Sequence, residues 1–125
     1  MVRLVLYYDS DIKPHPRFEF DFSYITWLLR QIERRYRAKI CIRDTRQWKE
    51  QSRRWLYGRI RRFALQHRVS IRCIYYNRRG DRCYIGREVP VLIVYRRKRI
   101  VGVYPHVKSG RLITIRNYLE KLLAK

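Results

Sequence analysis

Four carboxylates lie close together near the start of the chain, and they are the residues whose spacing could most directly support catalysis. They are Asp9, Asp11, Glu19 and Asp21, with His15 between them. Carboxylate clusters hold Mg²⁺, and a metal ion can activate water to hydrolyse a phosphodiester. One hypothesis is therefore a metal-dependent nuclease. The structural alternative is that Asp21 stabilises the start of a helix, while the others are solvated or pair with arginines.

Positive charge is the stronger signal in this sequence. The chain of 125 residues carries 31 Lys and Arg against 10 Asp and Glu, a formal net charge of +21. Ten carboxylates can pair with at most ten of those cations, so ion pairing alone does not account for the excess. The guanidinium group matches phosphate oxygens and also stacks on bases. The composition therefore predicts non-catalytic binding of a nucleic acid, DNA or RNA, through phosphate contacts.

The cations thought to make these contacts fall on one predicted helix and on two predicted hairpin tips. Exposed tyrosines among them, with Tyr57, Tyr75 and Tyr76 as candidates, could stack on unpaired bases. The same surface would suit a protein-interaction module that docks on an acidic partner or within a ribonucleoprotein. No catalytic residue and no cofactor is predicted. The candidate nucleic-acid-binding residues are Arg46, Lys49, Arg53, Arg54, Arg61, Arg62, Arg78, Arg79, Arg82, Arg96, Arg97, Lys98 and Arg99.

Apolar spacing predicts the elements that position these residues. The expected order is a strand at Val2–Tyr8, a helix at Phe22–Arg37, a strand at Ala38–Arg43, a helix from Asp44 or Thr45 to His67, a hairpin of Val69–Tyr76 with Arg82–Glu88, strands at Val91–Tyr95 and Ile100–Tyr104, and a helix at Gly110–Leu123 capped by Ser109. The opening βαβα run indicates parallel strands. We expect one α/β domain spanning 1–125, a three-layer arrangement with a mixed sheet and flanking helices.

The inner face of the second helix is expected to include Trp48 and Trp55, with its arginines facing outward. Gly58, in the middle of that helix, favours a kink there.

The cysteines and the hydropathy of the sequence indicate the cellular compartment in which the protein is expected. Three scattered cysteines without a CxxC pair are typical of a reducing compartment, and Cys73 and Cys83 could pair across the predicted hairpin. The longest apolar run, Val89–Tyr95, is far shorter than the ~20 residues that a membrane span needs. We expect a cytoplasmic protein with no membrane partner.

The last third of the chain resembles the thioredoxin-like fold family. That resemblance rests on an apolar strand opening on Pro90, a charged turn at Arg96–Arg99, a second strand at Ile100–Tyr104 and a final helix. It implies a cis peptide bond before Pro90 and a redox CxxC where the first strand meets the first helix. The sequence at that place, 9–16, contains no cysteine. Dithiol exchange needs two neighbouring thiols, so the resemblance implies a redox-inactive scaffold.

Overall fold

The structure is a computed structural model that describes residues 2–14, 18–71, 74–77, 82–84 and 90–125. Its elements are β1 (Val2–Tyr8), β2 (Ile12–Pro14), α1 (Phe22–Arg35), β3 (Ala38–Asp44), α2 (Glu50–His67), β4 (Ile74–Asn77), β5 (Arg82–Tyr84), β6 (Val91–Arg96), β7 (Arg99–Tyr104), β8 (His106–Lys108), β9 (Arg111–Ile113) and α3 (Ile115–Leu123).

A four-stranded mixed sheet of order β3-β1-β6-β7 forms the centre of the molecule. β1 pairs in parallel with β3, beginning with Val2 opposite Ala38, and antiparallel with β6. β6 and β7 form an antiparallel hairpin. The predicted mixed α/β architecture is confirmed, including the parallel pairing of the first two long strands.

Alternation along the strands divides the core into two layers. Leu4 and Leu6 face α1 and α3, where they join a buried cluster with Ile25, Leu29 and Leu119. On the other face of the sheet, a second cluster forms against α2, and its members include Val5, Tyr7, Leu56, Ile60, Phe63, Ile93 and Tyr95. The order of layers is therefore α1 and α3, sheet, α2.

The start of α2 differs from the prediction. The helix begins at Glu50, and Lys49 is its N-cap without a side-chain cap bond. Arg46 and Lys49 therefore precede the helix rather than lying on its outer face. The predicted cap Thr45 instead bonds to β1, with its backbone N–H donating to the Tyr8 carbonyl at 2.7 Å.

The inner face of α2 is also narrower than predicted. Leu56, Ile60 and Phe63 are its buried residues, whereas Trp55 is 51% exposed. Assigning Trp55 to the core was wrong, because Leu56 already occupies the buried position beside it. The helix runs without a break through Gly58.

The last helix begins five residues later than predicted. β8 and β9 form a hairpin in its place, turning at Ser109 and Gly110, whose φ angles are 52° and 75°. Two successive positive φ angles suit a tight hairpin turn. Thr114 caps α3 instead of Ser109: its hydroxyl accepts the Asn117 backbone N–H at 3.0 Å.

A third, smaller sheet has the order β2-β4-β5. It confirms the antiparallel pairing of the predicted hairpin, over shorter strands, and it adds β2, for which no strand was predicted. His15, Cys73, Arg78, Arg79 and the peptide bond between Val89 and Pro90 lie outside the described residues.

Candidate nucleic-acid interface

Asp9, the first of the four clustered carboxylates, is tied into the fold. It is 7% exposed, and its carboxylate lies 3.3 Å from the Arg53 guanidinium. Arg53 also donates to the Thr45 carbonyl at 2.8 Å, and Asp9 accepts the Asp11 backbone N–H at 2.8 Å. The interaction joins the end of β1 to α2, so Arg53 is a structural residue rather than a free surface cation.

The other three carboxylates are also engaged, each with a different group. Asp11 pairs with Arg46 at 3.1 Å, and Glu19 pairs with Arg116 at 3.1 Å. Asp21 caps α1 as the structural alternative proposed, accepting the Tyr24 N–H at 3.1 Å. Within the described ranges, no group of three His, Cys, Asp or Glu residues could hold a metal ion.

A further carboxylate connects the two loops at this end of the sheet. Asp44 accepts backbone N–H groups from Ser10 at 3.3 Å and from Arg46 at 2.9 Å. Burial tends to raise the pKa of Asp44, but these hydrogen bonds outweigh it and lower that pKa below its ordinary value. The Asp44 carboxylate thus joins the segments that follow β1 and β3 through these two hydrogen bonds.

The predicted cations are therefore not equivalent. Arg46 and Arg53 are engaged with Asp11 and Asp9, and Arg54 lies 3.5 Å from Glu50. Arg82 begins β5. The predicted cations with exposed side chains and no ion pair in the described structure are Lys49, Arg61, Arg62, Arg96, Arg97, Lys98 and Arg99.

A row of charged and aromatic side chains crosses the sheet at the opposite end of β1. Register places Lys39, Arg3 and Tyr95 side by side on neighbouring strands. The Arg3 guanidinium lies 4.7 Å from the centre of the Tyr95 ring, and that of Arg59, from α2, lies 5.6 Å from the same ring. Around this ring is a cleft of about 480 Å³, lined by Arg3, Lys39, Arg59, Tyr95, Arg97 and Lys98.

A second cleft continues from the first at Arg59. It measures about 610 Å³ and lies between α2 and β7. No carboxylate lines either cleft within the part of the chain that the structure describes. We call the two clefts together the basic groove; its cations are Arg3, Lys39, Arg59, Arg62, Arg97, Lys98 and Arg99.

The Tyr95 and Phe63 rings line the basic groove, and the Trp55 ring adjoins it through Arg59. Tyr95 is 3% exposed, and it neighbours Tyr7, whose pKa is raised to about 12 by burial and by Tyr95 itself. A tyrosine of ordinary pKa is already neutral at physiological pH, and the raised pKa keeps Tyr7 so; its ring therefore adds no negative charge near Arg3. Trp55 lies beside the groove, with the Arg59 guanidinium 5.3 Å from its ring centre.

Sequence reasoning found four of the seven groove cations and missed Arg3, Lys39 and Arg59. Alternation within the first strand already indicates that Arg3 faces away from Leu4. Its neighbours could not be inferred, because Lys39 and Tyr95 come from distant parts of the chain and only the strand register brings them together. Arg59 follows Trp55 by four residues, a spacing that places two side chains together on a helix.

No family model, curated protein or solved structure matches this chain. None of the described helices combines the length and apolar character needed to cross a bilayer.

Proposed function

We propose that this protein binds nucleic acid without catalysis, and that the basic groove is its binding surface. The observation that carries the proposal is the grouping of seven cations around two adjoining clefts whose described lining contains no carboxylate. Such a surface attracts a polyanion and concentrates it at the groove. Five of the seven cations are arginines, which suit phosphate oxygens better than a point charge does.

A nucleic acid fits this groove better than an acidic protein does. Protein interfaces usually have an apolar core within a polar rim, whereas the first cleft is lined by five cations and a single buried ring, that of Tyr95. A chain of phosphates needs many donors in a row and little apolar surface. Repeating a pull-down after nuclease treatment distinguishes the two, because a protein partner would remain bound.

We also propose that the scaffold is thioredoxin-like and lacks the dithiol. The sheet order β3-β1-β6-β7, with α1 and α3 on one face and α2 on the other, supports this assignment. At the β1–α1 junction, where the resemblance places the redox site, Asp9 pairs with Arg53 and no cysteine occurs. The basic groove lies at the opposite end of β1, so binding would use a different part of the scaffold.

The test is a titration of a fluorescent oligonucleotide at several salt concentrations. Each neutralised phosphate of a single strand releases counterions, with a slope of about −0.7 in log K against log salt. If all seven groove cations take part, the slope is roughly −5 by the same relation. No binding at low salt, or affinity that does not change with salt, would contradict the proposal.

A matched pair of double variants assigns binding to the groove. Arg62→Gln with Lys98→Gln removes two groove charges and should reduce the magnitude of the slope by about 1.4. Arg34→Gln with Lys121→Gln removes two exposed charges from α1 and α3, on the other face of the sheet, and should leave the slope unchanged. Equal losses in both variants would indicate a diffuse charge effect and no defined surface.

A further inference from the structure

We infer that the groove prefers single-stranded nucleic acid and that Trp55 is the platform on which one unpaired base stacks. This inference rests on the proposed function, because it concerns the ligand of the same groove. It adds a preference for single strands over duplexes, which the positive charge of the groove alone does not predict. Phosphate contacts are open to single and double strands alike, whereas stacking on a side chain requires a base that is free of its neighbours.

Tyr95 and Trp55, the two rings that Arg59 contacts, differ in accessibility. Tyr95 is 3% exposed and lies beneath the guanidinium groups of Arg3 and Arg59, so no base can reach its face. Trp55 is 51% exposed. Half of its surface thus remains open beside its contact with Arg59, so the indole offers an accessible aromatic surface at the edge of the groove.

Arg59 connects the phosphate-binding cations to this platform. Its guanidinium lies 5.3 Å from the Trp55 ring centre and 5.6 Å from that of Tyr95. Both contacts hold the guanidinium at the border between the cleft and the indole, where it can contact a phosphate while the adjoining base stacks on Trp55. A cation next to a stacking ring is a typical feature of single-strand binding surfaces.

The exposure of Trp55 is not explained by packing. The buried side of α2 consists of Leu56, Ile60 and Phe63, and the core is complete without the indole. Trp27, on α1, is exposed to a similar extent, 54%, but it stacks on Tyr24 at a centroid distance of 6.0 Å. Trp27 belongs to the opposite face of the sheet, so it is a matched control.

The experiment compares single-stranded DNA, single-stranded RNA and a DNA duplex of equal phosphate number, using the full chain and three variants. Stacking contributes about 1–3 kcal/mol per base, and 1.4 kcal/mol corresponds to tenfold in affinity. Trp55→Leu should therefore weaken single-strand binding by roughly 5- to 140-fold and change duplex binding by less than about twofold. Trp55→Phe should retain most of the affinity, and Trp27→Leu should leave both affinities unchanged. Comparing the affinities for single-stranded DNA and single-stranded RNA shows which of the two the groove prefers.

Fluorescence provides a second measurement. A base stacked on Trp55 should quench indole emission in the unaltered chain and in Trp27→Phe, and the quenching should be lost in Trp55→Phe. Equal weakening of single-strand and duplex binding by Trp55→Leu would overturn the inference, because it would indicate only a displaced Arg59. Unchanged binding in Trp55→Leu would overturn it too, while leaving the proposed function intact if the salt slope and the Arg62/Lys98 variant behave as expected. Absence of binding by the unaltered chain would instead overturn the proposed function.

Discussion

Individual charged residues in this chain have two distinct roles, and burial separates them. Arg53 and Asp9 have side chains 15% and 6% exposed, and their ion pair connects α2 to the end of β1. Arg97 and Lys98, by contrast, are exposed at a turn and have no carboxylate partner in the described structure. The sequence alone predicted Arg53, Arg97 and Lys98 alike as surface cations, because helical spacing does not show which arginine meets a buried carboxylate.

Breaking the pair between Asp9 and Arg53 should destabilise the protein. Asp9→Asn removes the carboxylate but leaves Arg53 partly buried, with its bond to the Thr45 carbonyl as compensation. Loss of a partner to a buried charge costs a few kcal/mol, and hydrogen bonds to charged groups contribute about 1.5–3 kcal/mol. We expect the free energy of unfolding, measured with urea, to fall by about 2 kcal/mol.

Glu33→Gln provides the control for this prediction. Glu33 pairs with Arg30 at the same distance, 3.3 Å, but those side chains are 43% and 53% exposed. Exposed pairs contribute about 0–1 kcal/mol, and both substitutions remove one negative charge from the molecule. A loss as large as that of Asp9→Asn would mean that net charge, rather than the buried pair, sets the cost.

At the scale of elements, apolar periodicity predicted those helices and strands whose formation does not depend on pairing with a distant segment. Phe22–Arg35 forms α1 almost as expected, because four buried residues recur at helical spacing and Asp21 caps it. The end of the chain was harder to predict. The sequence before Thr114 forms β8 and β9 instead of a helical turn, because a hairpin turn at Ser109 and Gly110 lets the two short strands pair.

The glycine in the middle of α2 offers a test of helix stability that is separate from packing. An added Cβ at Gly58 would meet no atom within 4 Å, and the helix is continuous at this position. Ala is favoured over Gly in a helix interior by about 1 kcal/mol. We expect Gly58→Ala to increase the free energy of unfolding by about that amount and to leave oligonucleotide affinity unchanged.

Gly110 is the matched control, because it has equal space but a different backbone. No atom lies within 4 Å of an added Cβ there either, yet its φ is +75°. An L-residue in this left-handed region costs roughly 1–2 kcal/mol, so Gly110→Ala should destabilise. If Gly58→Ala destabilised as well, helix propensity would not be the factor that limits α2.

Across the whole molecule, the direction of β1 and β3 places two carboxylates at one end of these strands and two groove cations at the other. Asp9 and Asp44 lie at the carboxyl ends of β1 and β3, whereas Arg3 and Lys39 lie near their starts, beside the basic groove. The composition indicates the excess of +21 but not this separation, which depends on parallel pairing of β1 with β3. The separation leaves the groove cations close to one another without local neutralisation.

Added salt should raise the stability of the folded protein and lower its affinity for an oligonucleotide. Net charge of this size destabilises the compact state through self-repulsion, and salt screens it, since the Debye length is about 10 Å at 0.1 M. We expect the Tm in NaCl to rise by a few degrees between about 0.05 and 0.3 M, which corresponds to roughly 1 kcal/mol in a domain of this size. Over the same range, oligonucleotide affinity should fall, because the same ions compete for the groove.

Thermal unfolding of the unaltered chain and of Arg62→Gln with Lys98→Gln, followed by circular dichroism, tests this expectation. The double variant removes two of the mutually repelling cations, so its Tm should be higher at low salt and should rise less as salt is added. A Tm that falls with salt in both proteins would show that attractive pairs such as Asp9 with Arg53 outweigh repulsion. In that case the groove cations would not destabilise the folded state through mutual repulsion. Their grouping would then imply no electrostatic cost for a bound ligand to offset.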